Sequence, residues 1–231
     1  MKTYQGTKTV KAEPMTKTEA EKFLGREIKP ATSGEDGYLV KYSDGYKSWS
    51  PKEVFDAVYQ IAETPLDRLK IEHSDLRTKF KKLCTFINSD KFKELDPITR
   101  AMLLSQKSLM ADYQYVLAFR SVRMGKGEGG YVGLSFGTAI SLLEKGFVIR
   151  REGWNGKGLI VFKQVPAHIT ESIIPNMQSL PAEAKKMILS GNKHIDYTSQ
   201  CLIYNTQTGR ADSWVPSISD VFAKDWELVT E

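Results

Sequence analysis

Leu134-Ser135-Phe136-Gly137-Thr138-Ala139-Ile140, followed by Arg150-Arg151-Glu152-Gly153-Trp154-Asn155-Gly156-Lys157-Gly158, decides how the last hundred residues fold. Ser135 stands where a helix cap is needed, and the apolar positions Phe136, Ala139, Ile140, Leu142 and Leu143 run on to Gly146, a common helix stop. Residues 147–150 then read as a strand and 159–165 as the next, so 153–158 is the turn of a hairpin. That turn is framed by glycine and carries Trp154, a side chain too large to be filler. Residues 166–192 read as an insertion with two Pro-bounded helical pieces, 169–177 and 182–189. Returning strands are expected at 194–198, 202–205 and 226–229, with Thr206-Gln207-Thr208-Gly209 as a turn. The pattern predicts an α+β domain with an antiparallel sheet.

Upstream, Gly125-Lys126-Gly127-Glu128-Gly129-Gly130 reads as a flexible linker. It is not a phosphate loop, because Tyr131 stands where the Gly-Lys-Ser/Thr ending would continue. Between 65 and 123 the period is helical. Leu69, Leu76, Phe80, Leu83 and Ile87 share one face; Met102, Leu109, Tyr113 and Val116 share another after breaks at Asn88-Ser89-Asp90 and Asp96-Pro97, with an extra turn expected at 92–95. This predicts an antiparallel helical hairpin. A unit of about 60 residues buries little surface by itself, so self-association or docking on a neighbour is expected. Residues 1–62 show β-type patches at Thr7, Thr9 and Val10 and at 38–42, the second leading through Ser43-Asp44-Gly45 into 46–49 as a hairpin. Thr16 with Glu19 is a capping box opening a helix over 17–24. Ser50 is read as the N-cap of a second helix with Pro51 at its first position, and 30–37 as a mobile loop. The expected organisation is a small α+β module over 1–62, a helical hairpin over 63–124, a linker over 125–131 and a ligand-binding domain over 132–231.

Composition narrows the function classes. Hydrophobic residues make up 41%, enough for packed cores, while no apolar run reaches membrane-spanning length and the N-terminus lacks a signal pattern, so a soluble cytoplasmic protein without membrane association is expected. Cys84 and Cys201 form neither a Cys-x-x-Cys nor a cysteine–histidine cluster, and His73, His168 and His194 are scattered, which gives metal binding and metal catalysis no support. No cofactor is expected. The net charge of +5 is concentrated: residues 63–127 carry thirteen Lys/Arg against eight Asp/Glu, while the flanking segments nearly balance. A basic segment favours phosphate-bearing partners, although charged helical faces are most often simply solvated.

Three of the four tryptophans fall in the last third, two of them in Asp212-Ser213-Trp214-Val215-Pro216-Ser217 and Asp225-Trp226-Glu227-Leu228-Val229. Aromatic faces beside carboxylates suit a planar, hydroxylated ligand such as a nucleotide, or else a small aromatic core. Trp226, in a terminal strand, reads as core.

The ordered set Leu134-Ser135-Phe136-Gly137-x-Ala139-x-x-Leu142, Arg151-x-Gly153-Trp154-Asn155-Gly156-Lys157-Gly158, His194-Ile195-Asp196, Trp214-Val215-Pro216-Ser217 and Asp225-Trp226-Glu227 resembles the second Thoeris anti-defence family of phage proteins. The resemblance implies a protein acting in the host cell cytoplasm that binds and sequesters a cyclic ADP-ribose-type signal made by bacterial TIR enzymes, without catalysis, as a small homo-oligomer holding ligand between subunits. Two places depart from the pattern: the helix-rich insertion from Ala167 to Asn192, and Asp212-Ser213 ahead of Trp214, where hydrophobic residues are common in relatives. Residues 3–59 look like a small phage module often found upstream of such domains. The hairpin is similar to short helical proteins of crAss-like and other phages, and in kind to a helical anti-CBASS sponge, which adds cyclic oligonucleotides as a further ligand class for that part.

An ADP-ribose derivative carries an adenine ring, two riboses and two phosphates, so its pocket needs stacking surfaces, a cation or helix N-terminus, and acceptors for ribose hydroxyls. Phe136, Trp154 and Trp214 are the stacking candidates. Ser135 with the first-turn amides, and Arg150 or Lys157, suit phosphate; Asp212 and then Asp196 suit ribose; Asn155 completes the set. Phe136 suits a core equally well, and Trp154→Ala is expected to leave the fold intact while removing binding. The alternatives are a phage nucleic-acid-binding accessory protein using the basic hairpin, and an enzyme that hydrolyses the signal.

Overall fold

The computed structural model describes residues 8–29, 35–127 and 129–230. Thr7 of the first expected strand, 30–34 of the expected loop and Glu128 of the expected linker lie outside the described residues. Two compact units divide the chain, Met1–Ile71 and Glu72–Glu231.

The first unit contains β1 (Lys11–Pro14), α1 (Lys17–Leu24), β2 (Gly37–Lys41), β3 (Lys47–Pro51), α2 (Lys52–Asp56) and the start of α3 (Pro65–Ile87). Its strands pair antiparallel in the order β1-β2-β3. The expected capping box is present: Thr16 Oγ accepts from the Glu19 amide while the Glu19 carboxylate accepts from the Thr16 amide. Val40, Leu39, Trp49 and Ala20 are buried, and the Trp49 indole donates to the Met15 carbonyl (2.8 Å). Two local expectations shift. The first strand begins at Lys11, past Thr9 and Val10, because its register sets Lys11 opposite Lys41. Ser50 does not cap α2; it is held in the ladder opposite Tyr38, so the strand runs through Pro51 and the helix starts one residue later without a side-chain cap.

Beyond Ile71, α3 continues and is followed by the single turn α4 (Asp90–Lys93) and by α5 (Pro97–Lys126). Asp96 caps α5 by accepting from the Ile98 and Thr99 amides, with Pro97 in the first turn, where its missing N–H costs nothing. The Tyr113 hydroxyl donates to Glu72. Those residues are almost equally far from the α4 turn, which fixes an antiparallel hairpin. α5 runs through Gly125-Lys126 and stops at left-handed Gly127 (φ 74°), so the expected linker begins as helix. Among the described residues, no helix is long and apolar enough to cross a membrane.

The C-terminal part comprises α6 (Phe136–Glu144), β4 (Ile149–Arg151), β5 (Leu159–Lys163), β6 (Ala167–Ile169), a 3-10 turn (Ile174–Asn176), α7 (Ala182–Ser190), β7 (Ile195–Tyr197), β8 (Cys201–Asn205), β9 (Ala211–Ser213), α8 (Ile218–Val221) and β10 (Trp226–Leu228). The antiparallel sheet has the order β10-β4-β5-β8-β9, and β6 and β7 form a separate ribbon. The fold is α+β, as the sequence predicts. Within the insertion, residues 169–177 are not a helix: Ile169 pairs with Ile195 in the ribbon, and only the 3-10 turn around Pro175 remains helical. Leu134, Ala139, Leu143, Ile149, Val161, Ala223 and Trp226 make the buried core.

Gly37 leaves no room for a side chain. A Cβ there would lie 2.4 Å from both the Ser50 carbonyl and the Trp49 ring. Gly37→Ala is therefore expected to destabilise the first unit by about 1–3 kcal/mol through overpacking. Hydrogen exchange read by mass spectrometry checks it: amides of β1 to β3 should exchange at least about fivefold faster while those of β4, β5 and β8 hold their rates.

Candidate functional site

Trp226 organises the C-terminal domain. It is fully buried, its backbone bridges to Leu134 in both directions (2.8 and 3.3 Å), and three aromatic rings surround it. Trp154 and Trp214 meet it edge-on at centroid distances of 5.4 and 5.9 Å, and Phe136 lies tilted at 5.9 Å. Edge-to-face contacts set the positive rim of one ring against the negative face of another.

One aspartate holds two of these indoles, Trp154 through its carboxylate and Trp226 through its backbone carbonyl. Asp220 is buried, and its Oδ1 accepts from Arg151 Nη1 (2.8 Å) and from the Trp154 indole (2.9 Å). Its Oδ2 accepts from the Ser217 amide (2.9 Å) and hydroxyl (2.8 Å), while the Asp220 carbonyl accepts from the Trp226 indole (3.1 Å). Arg151 also forks onto Asp225 (2.8 and 3.2 Å), which takes the Gly153 amide as well (2.9 Å). This explains the glycine at 153, where a Cβ would stand 2.5 Å from Asp225 Oδ2. Burial by itself pushes the Asp220 carboxyl up, but the donors from Arg151, Trp154 and Ser217 outweigh it and hold it at about 2. Arg151 lowers Asp225 in the same way, and the two acids raise the guanidinium further. Sequence reading assigned no role to Asp220 or Asp225. The Ser217-Ile218-Ser219-Asp220 spacing, a capping-box pattern, is the signal that marks the first of them.

The expected site residues fall into several places. Phe136, Trp154 and Trp214 converge on Trp226, each half-buried. Trp154 has its indole N–H committed to Asp220, so it has a structural share, and Trp154→Ala is now expected to loosen the fold rather than leave it untouched. Asn155 and Lys157 point out of the same turn into solvent. Arg150 pairs with Glu227 across the β4–β10 ladder (2.6 Å). Ser135 caps α6 through the Thr138 amide and donates to Asp112 of α5 (2.8 Å). It borders a cavity of about 280 Å³ shared with Asp112, Tyr115, Tyr131, Thr138 and Lys224. Burial, then the nearby Asp112, raises the Tyr131 phenol. Asp196 is on the β6–β7 ribbon, where it accepts from His168 (2.5 Å) and lies 3.3 Å from His194. Asp212 is on edge strand β9, paired with Arg210 (2.7 Å). The chain thus gathers the aromatic candidates and leaves Asp196 and Asp212, the residues expected to serve ribose, on different sheets. Among the described residues, no group of three His, Cys, Asp or Glu side chains has the placement of a metal site.

This geometry defines a small α+β domain built on a tryptophan cluster and joined to a helical hairpin. Residues 134–229 match the family model described as Thoeris anti-defense 2-like domain, and residues 63–123 match the one described as Sequestin. Thoeris anti-defense 2 of Bacillus phage SP01 is 28% identical over 99 residues, covering 42% of this chain and 96% of that protein. The C-terminal domain is of the Thoeris anti-defense 2 type, and a Sequestin domain precedes it.

Acid should unpick the Asp220 network first. A carboxyl at about 2 in the folded state, against 3.8 ordinarily, contributes about 2 kcal/mol that is present above pH ~4 and lost as the pH falls toward 2. Asp220→Asn keeps an acceptor but removes the charge, so it should be less stable than the parent at pH 7 and converge with it near pH 2. Urea titrations of both proteins across that range measure the difference.

Proposed function

We propose that this chain is a phage anti-defence sponge that binds and sequesters cyclic ADP-ribose-type signals made by TIR enzymes, leaving them chemically intact, in the cytoplasm of the host cell and as a homo-oligomer. The observation that carries the reading is the match of 134–229 to the Thoeris anti-defense 2-like domain, beside a phage relative covered over 96% of its length. The Sequestin domain in the same chain supports sequestration as the activity, and the hairpin's resemblance to a helical anti-CBASS sponge keeps cyclic oligonucleotides as a second ligand class.

The site combines what the turn and the helix cap present. Phe136, Trp154 and Trp214 give the aromatic wall; Asn155 and Lys157 reach outward from it; Ser135 and Arg150 serve phosphate, and Asp196 and Asp212 serve ribose from a neighbouring subunit or a closed ribbon. A sponge needs affinity without turnover, and a nanomolar dissociation constant corresponds to about −12 kcal/mol. Stacking at about 1–3 kcal/mol per base approaches that value only where charge-assisted bonds and closure add to it in a pre-formed site. Rigid anchoring of Trp154 and Arg151 by Asp220 favours such pre-formation. The Cys201 thiol, pushed up by burial, is poorly suited to nucleophilic attack on a bound ligand.

Calorimetry with cyclic ADP-ribose isomers and with a cyclic dinucleotide tests the reading. The parent should bind at least one of them, and mass spectrometry after heat release should return the same compound unaltered; conversion to a new product, or no binding to any, overturns it. Asn155→Ala with Lys157→Ala should weaken binding about 10- to 100-fold, the worth of a charge-assisted bond, with the melting temperature unchanged.

A further inference from the structure

We infer that α5 is a dimerisation helix: its outward face pairs antiparallel with the same face of a second copy, about a two-fold axis passing by Ser105 and Gln106. The inference deepens the proposed function by giving the assembly a contact, but it rests on the helix alone and stands whatever the ligand is.

α5 has two apolar faces. Leu103, Met110 and Leu117 are the inward one, with half-buried Lys107 and Gln114 between them at helical spacing. The other face is turned to solvent. Ile98 is 73% exposed, Met102 67% and Leu109 70%, and Tyr113 continues the line, in a groove of about 800 Å³ that is almost entirely apolar. Met102, Leu109 and Tyr113, three of the four residues whose spacing predicts an apolar stripe, are left open, while Val116 is half-buried. Further along α5 the chain covers itself: Phe119 packs edge-on against Tyr131 (5.3 Å) and Asp112 receives Ser135. The most exposed apolar side chains of the helix, Ile98, Met102 and Leu109, are in its first half, ahead of that covered stretch.

A second copy is the occupant this face fits. The apolar residues are disposed symmetrically about the midpoint between Ser105 and Gln106: Met102 and Leu109 lie one step out on either side, and Ile98 and Tyr113 lie one turn further. A two-fold axis there brings Met102 against Leu109 of the partner copy and Ile98 against Tyr113 of the partner copy, with each contact made twice, as an isologous interface requires. The small Ala101 and Ser105 let the helices approach closely, and the Ser105 hydroxyl and Gln106 amide can bond to each other across the axis. The charge pattern agrees. From Pro97 to Leu109 the outward face has no charged residue, because Arg100 and Lys107 fall on the half-buried side. Two copies of a chain of net charge +5 therefore meet here without repulsion, whereas a charged peptide or a nucleic acid would find no counter-charge. The antiparallel sense follows from the far end, where Arg120 and Arg123 are exposed. Parallel helices would bring these arginines together; antiparallel ones carry them to opposite ends.

Light scattering on the full chain after size exclusion tests this. The parent should run at an even multiple of its 26.1 kDa mass, and Met102→Glu with Leu109→Glu at half the parent value, with an unchanged far-ultraviolet helical signal, since both side chains are exposed in the single copy. A monomeric parent, or a double variant that keeps the parent mass, overturns the inference. A second measurement does not depend on how the glutamates are tolerated. In a Cys84→Ser, Cys201→Ser background, Ile98→Cys mixed with Tyr113→Cys should cross-link between copies at least about tenfold faster than Ile98→Cys alone; equal rates overturn the antiparallel pairing. Ligand binding measured on the same samples separates the two readings, because loss of assembly with retained binding leaves the sponge intact, and retained assembly without binding leaves the helix contact intact.

Discussion

The Asp220 carboxylate is the constraint on which the C-terminal domain turns. A buried carboxylate is costly unless every lone pair is answered, and here the answers come from Arg151, Trp154 and Ser217, positions that span nearly seventy residues of chain. One residue thus completes the capping box of α8, clamps the turn between β4 and β5, and, through its backbone carbonyl, orients the core indole of Trp226. Such a network stabilises one arrangement by making alternatives expensive: any movement of the turn strands a buried charge. The consequence is a pre-organised turn, because Asn155 and Lys157 project from a root that cannot drift.

The sequence carried the elements that rest on local chemistry. The capping box at Thr16 and Glu19, the break at Asp96-Pro97, the Ser135 cap and the hairpin turn around Trp154 are each set by residues within a few positions of one another, and each appears as read. What it did not carry depends on partners far away in the chain. Ser50 looks like a cap until Tyr38 claims it for a ladder. Residues 169–177 look helical until the ribbon takes Ile169. Arg151 has an acid beside it in sequence, Glu152, yet its partners are Asp220 and Asp225, which only the folding of β10 against β4 brings within reach. Of the candidate site, the convergence of Phe136, Trp154 and Trp214 follows from their shared need for burial. The point of convergence, another indole rather than an open cavity, depends on the register of β10.

The helical hairpin shows how periodicity can be right about a face and silent about its direction. Spacing places Met102, Leu109 and Tyr113 on one side of α5, and they are there; it does not say which of two apolar stripes meets α3. In the structure Leu103, Met110 and Leu117 take the inner side. A helix with two apolar stripes is too hydrophobic for a surface element and too short on cover for a core one, which is the condition under which association becomes part of folding.

Sequestration and association then share a physical logic. A protein that must lower the concentration of a small signal below its receptor's threshold works by stoichiometry, so each copy must bind tightly without the help of turnover. Tight binding of a doubly charged, flexible nucleotide calls for walls on several sides, and a single domain of about a hundred residues with a thin core has little concave surface to give. Its aromatic cluster is the wall proposed for the ligand. Asp196 and Asp212, the residues proposed for ribose, lie on other elements, the β6–β7 ribbon and edge strand β9. Bringing such groups round one ligand takes either closure of the ribbon or a second subunit, and of the two the second costs less chain entropy at the moment of binding, because the rigid surfaces are already formed before the ligand arrives.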